Sequence, residues 1–412
     1  MKKESVEAFL KRDHKEDILK AAEGLRSVLR PTHLIHSGFF SAEHGCEVYL
    51  KPENLQVTGS YKIRGAYNKI MGLSPQEKER GVIAASAGNH AQGVSLSAQM
   101  LKIPATIVMP STTPLLKISS AKARGAEVAL HGDVFDDAYN KALAMKDETG
   151  ACFIHPFDDY DIICGQGTAG LEILADLPDV DEILVPIGGG GLIAGISLIV
   201  KAMSPKTKVV GAVPVGAMSM KISIDEGQVT RLASVKTSAE GVAVKQPGEL
   251  PFAIAKRHVD EIVTVTEKDI MEAVLLLLER HKLVSETAGA VSLAALKKRA
   301  RPGKKVVCFI SGGNIDMVTI SSIINQGMIS RGRIMCFSVE LPDRPGQLVK
   351  VAQLLAENNA NVIELEHNQF KAIDRYSNKV ALEVTVETNG HEHIQQVLNV
   401  LEDNNFTVAR IY

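Results

Sequence analysis

Four consecutive glycines, Gly188, Gly189, Gly190 and Gly191, interrupt the apolar run EILVPIGGGGLIAGISLIV. Residues without a Cβ let backbone N–H groups approach an anion, and a following helix N-terminus adds favourable partial charge. A phosphate suits such a place. A tight strand-to-helix turn also uses glycine, but ordering four of them costs more entropy than a turn requires. What the neighbourhood lacks narrows the kind of phosphate. A nucleoside-triphosphate loop places lysine after the second glycine of its spacing; Gly190 and Gly195 fit, but Ile196 follows. Gly189, Gly191 and Ala194 satisfy the weak G-x-G-x-x-A pattern of a dinucleotide site. The next strand should then end in an acidic residue for the ribose, and KVVGAVPVG offers Val213, Pro214 and Val215. A small monophosphate cofactor accounts for the glycines without either missing part.

A second group with chemical potential is Lys62, in GSYKIRGAYNK. It lies between the small-residue turn Thr58, Gly59, Ser60 and a helix-forming stretch. An amine near a helix start and beside Arg64 is expected to have a lowered pKa, as a nucleophilic lysine requires. Most lysines next to an arginine are merely solvated, so Lys62 alone decides nothing. SAGNHAQG (86–93) follows an apolar strand and opens a helix; its Ser86, Asn89 and first N–H groups suit a carboxylate or a ring oxygen. An ordinary capped helix start reads the same way. CFISGGN (308–314) ends another apolar strand in Ser311, Gly312 and Gly313. Ligands of open α/β sheets sit beyond the carboxyl ends of strands, and all three loops hold that place. Each is ambiguous by itself; their agreement in position is not.

The elements that must hold these loops alternate. Seven short runs predict strands: 47–51, 81–86, 105–110, 127–132, 182–188, 208–214 and 305–311. Most are continuously apolar, which suggests parallel strands covered on both faces. Segments such as 91–102 and 135–149 predict helices, so the architecture is doubly wound α/β with more than one sheet. After Gly332 the order changes to strand, helix, strand, strand, helix, strand over 333–412, a βαββαβ ferredoxin-like plan. The basic stretch 328–335 is the expected linker.

At 412 residues the chain exceeds one ordinary core, and 45% hydrophobic with 23% charged residues marks a soluble globular protein. A net charge of −2 gives no reason to expect a nucleic-acid or anionic-membrane partner. Five scattered cysteines, an odd number without metal-ligand spacing, read as reduced thiols in a cytoplasmic protein. The charged start MKKESVEAFLKRDHKED is no signal peptide, and no apolar stretch reaches the length of a spanning helix.

Six motifs in one order, GSYKIRGAYNK, SAGNHAQG, GGGGLIAG, SAEGVAV, SETAGA and SGGN, resemble the fold-type II pyridoxal-phosphate enzymes. Over about residues 5–330 they are similar, more narrowly, to the threonine ammonia-lyases (threonine dehydratases). The resemblance implies a tryptophan-synthase-β-like catalytic domain, 1–330, with two open α/β subdomains. It implies that Lys62 carries pyridoxal 5'-phosphate as a Schiff base and that Asn89 contacts the ring hydroxyl. Gly188 to Gly191, with Leu192, would cradle the phosphate, and Ser311, the second catalytic residue, would bond the pyridine nitrogen. Ser86, Ala87, Gly88, Asn89 and His90 would grip the substrate carboxylate. The implied reaction is β-elimination of threonine to 2-oxobutanoate and ammonia, and a serine at the ring nitrogen favours elimination over transamination. Two departures stand out. Tyr61 replaces a phenylalanine common beside the lysine. Val213, Ala217 and Ser219 stand where metal-binding relatives carry acidic residues, so no divalent cation is expected there. Glu286 reads as a surface or supporting carboxylate, or as a direct participant.

VELPDRPGQLVKVAQLL (339–355) resembles the ACT domain, a ligand-sensing module, over roughly 334–412. Its Asp343, Arg344, Pro345 and Gly346 form the most specific piece. Pro345 and Gly346 make a strand-to-helix turn whose N–H groups suit an amino-acid effector's carboxylate. Isoleucine, valine or serine would fit, and the alternative is a domain that only enlarges an oligomer interface. A homodimer or homotetramer is expected. The rivals are a serine dehydratase or serine racemase, a nicotinamide dehydrogenase, and a catalytically silent amino-acid sensor.

Overall fold

A computed structural model of the chain describes residues 9, 12–299, 302–367 and 379–412. It divides into two compact units, Met1–Ile315 and Asp316–Tyr412. The division falls before the linker expected at 328–335, since helix Met317–Ser330 belongs to the second unit. Gly332 explains the difference. With φ +65° it caps that helix: its N–H bonds Ile329 O at 3.0 Å, and Arg333 N bonds Met328 O at 2.8 Å. A glycine there ends a helix tightly rather than opening a flexible joint.

The first unit holds, among the described residues, strands β1 (Ile35–His36), β2 (Glu47–Pro52), β3 (Val82–Ala85), β4 (Ala105–Met109) and β5 (Glu127–Leu130). They continue as β6 (Cys152–Phe153), β7 (Glu182–Pro186), β8 (Lys208–Pro214), β9 (Glu261–Val265) and β10 (Lys305–Ile310). One sheet runs β1-β2-β10-β7-β8-β9 and the other β5-β4-β3-β6. Every pairing is parallel except β1 with β2. These are the two open α/β subdomains that the motifs implied. β3 and β7 are buried at every position, as continuously apolar strands covered on both faces should be. β5, at an edge, has no buried residue.

Three helices meet at glycines. Helix Lys62–Met71 crosses Tyr160–Asp176 so closely that a Cβ on Gly165 would lie 2.5 Å from Arg64 O. Tyr160–Asp176 in turn meets Gly191–Met203, where a Cβ on Gly195 would lie 2.2 Å from Ile163 O and 2.6 Å from Gly167 N. Backbone cannot give way as a side-chain tip can. Gly195→Ala is therefore expected to cost about 1–3 kcal/mol in urea unfolding, as overpacking does. A loss below about 0.5 kcal/mol, the range of a neutral surface change, would show that the helices separate freely. The contacts tie the helix bearing Lys62 to the helix that follows the glycine run.

In the second unit, β11 (Ile334–Pro342), β12 (Asn361–His367), β13 (Lys379–Glu387) and β14 (Thr407–Arg410) form an antiparallel sheet in the order β12-β13-β11-β14. With helices Gln347–Glu357 and His391–Asp403 this is the expected βαββαβ plan. Phe337, Val339, Leu382, Val384, Val351 and Val397 fill the core between helices and sheet. Positions 368–378 of the stretch 333–412, and residues 1–8, 10, 11, 300 and 301, lie outside the described residues.

Candidate active site

Three loops leave the carboxyl ends of parallel strands toward one pocket, as open sheets arrange their ligand sites. β3 ends at Ala85 and feeds residues 86–88 into helix Asn89–Leu101. β7 ends at Pro186 and feeds the glycine run into helix Gly191–Met203. β10 ends at Ile310, one residue before Ser311. The lysine loop is stitched to the serine loop by Tyr61 N to Ser311 O (3.1 Å) and Gly313 N to Gly59 O (2.8 Å). The resulting cavity is about 840 Å³ and is lined by Lys62, Ser311, the whole 86–90 loop, and Gly188 to Leu192. That size lies within the range of small-molecule and cofactor sites.

Lys62 is the first residue of helix Lys62–Met71, and its Nζ donates to Pro156 O at 2.9 Å. Burial pushes its pKa down to about 8, against the opposing pull of Glu286. The expected cause, the neighbouring Arg64, is not responsible. That guanidinium faces away into a buried cluster, bonding Glu53 at 2.7 and 2.8 Å and Glu172 at 2.7 and 2.8 Å. A cation paired twice over exerts little net field on the lysine, so desolvation does the work. Tyr61 packs its ring edge-on to Phe309, centroids 6.1 Å apart, and lies 5.3 Å from Lys62 Nζ.

At the 86–90 loop, Ser86 Oγ accepts from Gly88 N at 3.2 Å. A Cβ on Gly88 would meet nothing within 4 Å, so the pocket side of this backbone is open. The first N–H groups of helix Asn89–Leu101 have no intrahelical acceptor and suit an anion. His90 is different. Its ring is buried, its Nε2 donates to Ile154 O at 2.8 Å, and burial holds its pKa down near 3. The neutral imidazole is committed to the backbone, and only its main-chain N–H remains for a carboxylate. Asn89 Nδ2 donates to Glu286 Oε1 at 2.6 Å. Glu286 is half-buried, and desolvation raises its pKa to about 7.

The glycine turn is shaped by close approach. Gly190 has φ +96°, a conformation side chains disfavour. A Cβ on Gly189 would lie 2.3 Å from the Phe157 ring, and one on Gly191 2.8 Å from Phe157 O. Gly188 is limited by Val242 at 2.9 Å, and Gly190 by Met220 and Pro251 at 2.4 and 2.9 Å. Ser311 is 4% exposed and its Oγ makes a long contact, 3.4 Å, to Ala288 O. A half-buried amine, a helix N-terminus behind a glycine turn, and a neutral hydroxyl converge on one cavity. These donors fit a phosphorylated carbonyl cofactor.

Residues 25–312 match the family described as Pyridoxal-phosphate dependent enzyme. This chain is a pyridoxal-phosphate-dependent enzyme. Residues 337–406 match the ACT domain. The enzyme is 49% identical to the L-threonine ammonia-lyase of Thermotoga maritima, over 94% of this chain and 96% of that one. Among solved structures it resembles the processed form of threonine deaminase isoform 2 from Solanum lycopersicum, with 37% identity and a TM-score of 0.75. That likeness covers 80% of this chain and 90% of the other. Maize serine racemase is 32% identical with a TM-score of 0.72, covering 77% and 98%.

This pyridoxal-phosphate enzyme also contains pocket residues that the motif reading missed. The loop 155–158 touches both the lysine and the glycine turn. Pro156 O accepts from Lys62, Phe157 abuts Gly189 and Gly191, and His155 Nδ1 accepts from Phe157 N (3.2 Å) and Asp158 N (2.7 Å). Asp158 caps helix Glu249–His258 by accepting from Glu249 N and Leu250 N. The string HPFDD was the available signal, a proline and aromatic beside two potential caps. Asn314, the last residue of SGGN, is the other omission. The effector candidates lie in the second unit, where Gly346 (φ +89°) precedes helix Gln347–Glu357 and Arg344 N bonds Pro342 O at 2.7 Å. Among the described residues no helix is long and apolar enough to cross a membrane.

Proposed function

We infer that this enzyme is an L-threonine ammonia-lyase that converts threonine to 2-oxobutanoate and ammonia under amino-acid control. The observation that carries the chemistry is the meeting of the desolvated Lys62 amine with the glycine turn in one cavity. The substrate follows from relatives named for threonine, one of them alike along 94% of this chain. Lys62 anchors the cofactor and, once released by substrate, takes the α-proton with an amine already poised near neutrality. Pyridoxal phosphate supplies the electron sink for the pair that proton leaves behind. The N–H groups of Gly188 to Gly191, with Leu192, would hold the phosphate, Ser311 would meet the ring nitrogen and Asn89 the ring hydroxyl. Ser86, Ala87, Gly88, Asn89 and His90 receive the substrate carboxylate. The β-hydroxyl would depart as water, and hydrolysis of the released enamine would yield the 2-oxo acid and ammonia.

The ACT domain supports effector binding at Asp343, Arg344, Pro345 and Gly346, with isoleucine, valine and serine as equal candidates. The chain works as a cytoplasmic homodimer or homotetramer in this reading. Likeness to maize serine racemase keeps a serine-directed reaction as the second reading, since one methyl is worth only about 1–3 kcal/mol of discrimination. The test is steady-state 2-oxo acid production from threonine and from serine, with and without isoleucine, alongside chiral assay for D-serine. Threonine is expected to turn over faster, with a response to isoleucine. Absence of 2-oxo acid from both substrates would overturn the assignment.

A further inference from the structure

Asparagine has one accepting and one donating end, and which end faces a ligand must be set by its neighbours. At Asn89 the neighbours leave one choice. Asn314 Nδ2 donates to Thr58 O at 2.8 Å, and a backbone carbonyl accepts only, so this end of Asn314 is the amide nitrogen. The same Nδ2 donates to Asn89 Oδ1 at 2.7 Å. Asn89 must therefore turn its Nδ2 the other way, where it donates to Glu286 Oε1 at 2.6 Å. Polarity passes from one main-chain carbonyl through two amides to a half-buried carboxylate. Local packing holds the starting point. Gly59 has φ +70°, and a Cβ there would lie 2.5 Å from Asn314 Oδ1. All three side chains line the cavity that holds Lys62.

We propose that Asn314 and Glu286 are positioning residues that clamp Asn89 from its two ends, so that Asn89 offers the cofactor's ring oxygen an N–H and never a C=O. The inference rests on the reading that Asn89 meets that oxygen. An amide nitrogen carries two hydrogens, so one remains for the ring after Glu286 has taken the other. An N–H donor stabilises the ionised ring oxygen, whereas a carbonyl would favour the neutral hydroxyl. Glu286 acts through Asn89 here, and needs only to accept.

The test uses the resting holoenzyme, reading the visible absorbance of bound pyridoxal phosphate and its dissociation constant at fixed pH. Asn314→Asp cannot donate, so it draws the Asn89 nitrogen toward itself and presents the carbonyl to the ring. It is expected to weaken cofactor binding roughly tenfold or more, the size of a lost hydrogen bond to a charged group, and to move the band to shorter wavelength. Glu286→Gln keeps an acceptor for Asn89 and should leave the band in place, while Glu286→Leu should move it. If Asn314→Asp does not fold, the Asn314→Ala, Glu286→Leu pair removes both ends of the clamp and reads the same quantity. A purely structural role would lower thermal stability and leave the band unmoved. The clamp fails if Asn314→Asp and Glu286→Leu keep the wild-type band and affinity while Asn89→Ala alters them. If Asn89→Ala is also silent, the assignment of Asn89 itself falls, and the clamp with it.

Discussion

Lys62→Ala is expected to lower 2-oxo acid formation from threonine by about 10⁴-fold, the upper range for removing a general base, with loss of the lysine-bound cofactor's visible band. The variant should otherwise fold normally. Lys62 Nζ makes one hydrogen bond, to Pro156 O, and removing a partly desolvated amine relieves a desolvation cost. The wild-type environment yields a second, sharper consequence. Only the neutral amine attacks a carbonyl, and burial brings its pKa from an ordinary 10.5 down to about 8. Below that value the protonated fraction grows and attack slows; above it the neutral fraction rises from half to nearly all within about one pH unit. The rate at which cofactor-free enzyme takes up pyridoxal phosphate should therefore rise with pH, reach half its maximum near 8 and level off by about 9. A rate still climbing between pH 9 and 10.5 would mean that Lys62 titrates as a solvated lysine. Near-wild-type turnover by Lys62→Ala would remove Lys62 from the chemistry altogether.

The parts of the site legible in the sequence were those with a local signature. A continuously apolar run followed by small residues marks a buried parallel strand opening on a ligand loop, and β3, β7 and β10 each follow that rule. The glycine run shows the limit of such reading. Four glycines were more than a turn requires, and the excess was ascribed to phosphate. In the fold each of the four also has protein where a Cβ would sit: Val242, Phe157, or Met220 with Pro251. Close packing and close approach to an anion demand the same residue, so glycine alone does not separate them. Gly195 belongs to packing alone, at a helix crossing that no spacing rule marks.

What was not legible depends on contacts distant in sequence. The depressed pKa of Lys62 was anticipated, but its cause is burial, and burial is a property of the folded cavity. The loop 155–158 reaches Lys62 across 94 positions. Two-residue strands such as β1 and β6 are too short to show periodicity, and β9 is a half-buried edge whose pattern fits neither face. The Asn314–Asn89 bond spans 225 positions and the Asn89–Glu286 bond 197. Their motifs were each recognised, and their mutual orientation waited for the fold.

Arg64→Ala is expected to destabilise the first unit by about 3–5 kcal/mol, the scale of breaking a buried ion pair from one side. Arg64 and Glu53 are both 0% exposed, and Lys51 and Glu172 complete a cluster of two cations and two anions. Alanine leaves two carboxylates facing one ammonium. Glu53 would retain only the Thr32 hydroxyl at 2.5 Å and Lys51 at 3.9 Å. Arg64→Lys keeps the charge but not the paired forks to Glu53 and Glu172, so it should fall between wild type and alanine. Arg64 lies two residues after Lys62 and fastens that helix start to the residues after β2 and to helix Tyr160–Asp176. Loss of the clamp should therefore also speed release of the cofactor, although Arg64 does not line the cavity. Urea unfolding followed by circular dichroism, with cofactor retention after gel filtration, measures both effects. A loss within about 1 kcal/mol, as for an exposed pair, would show that water reaches the cluster and that the helix start is held by packing instead.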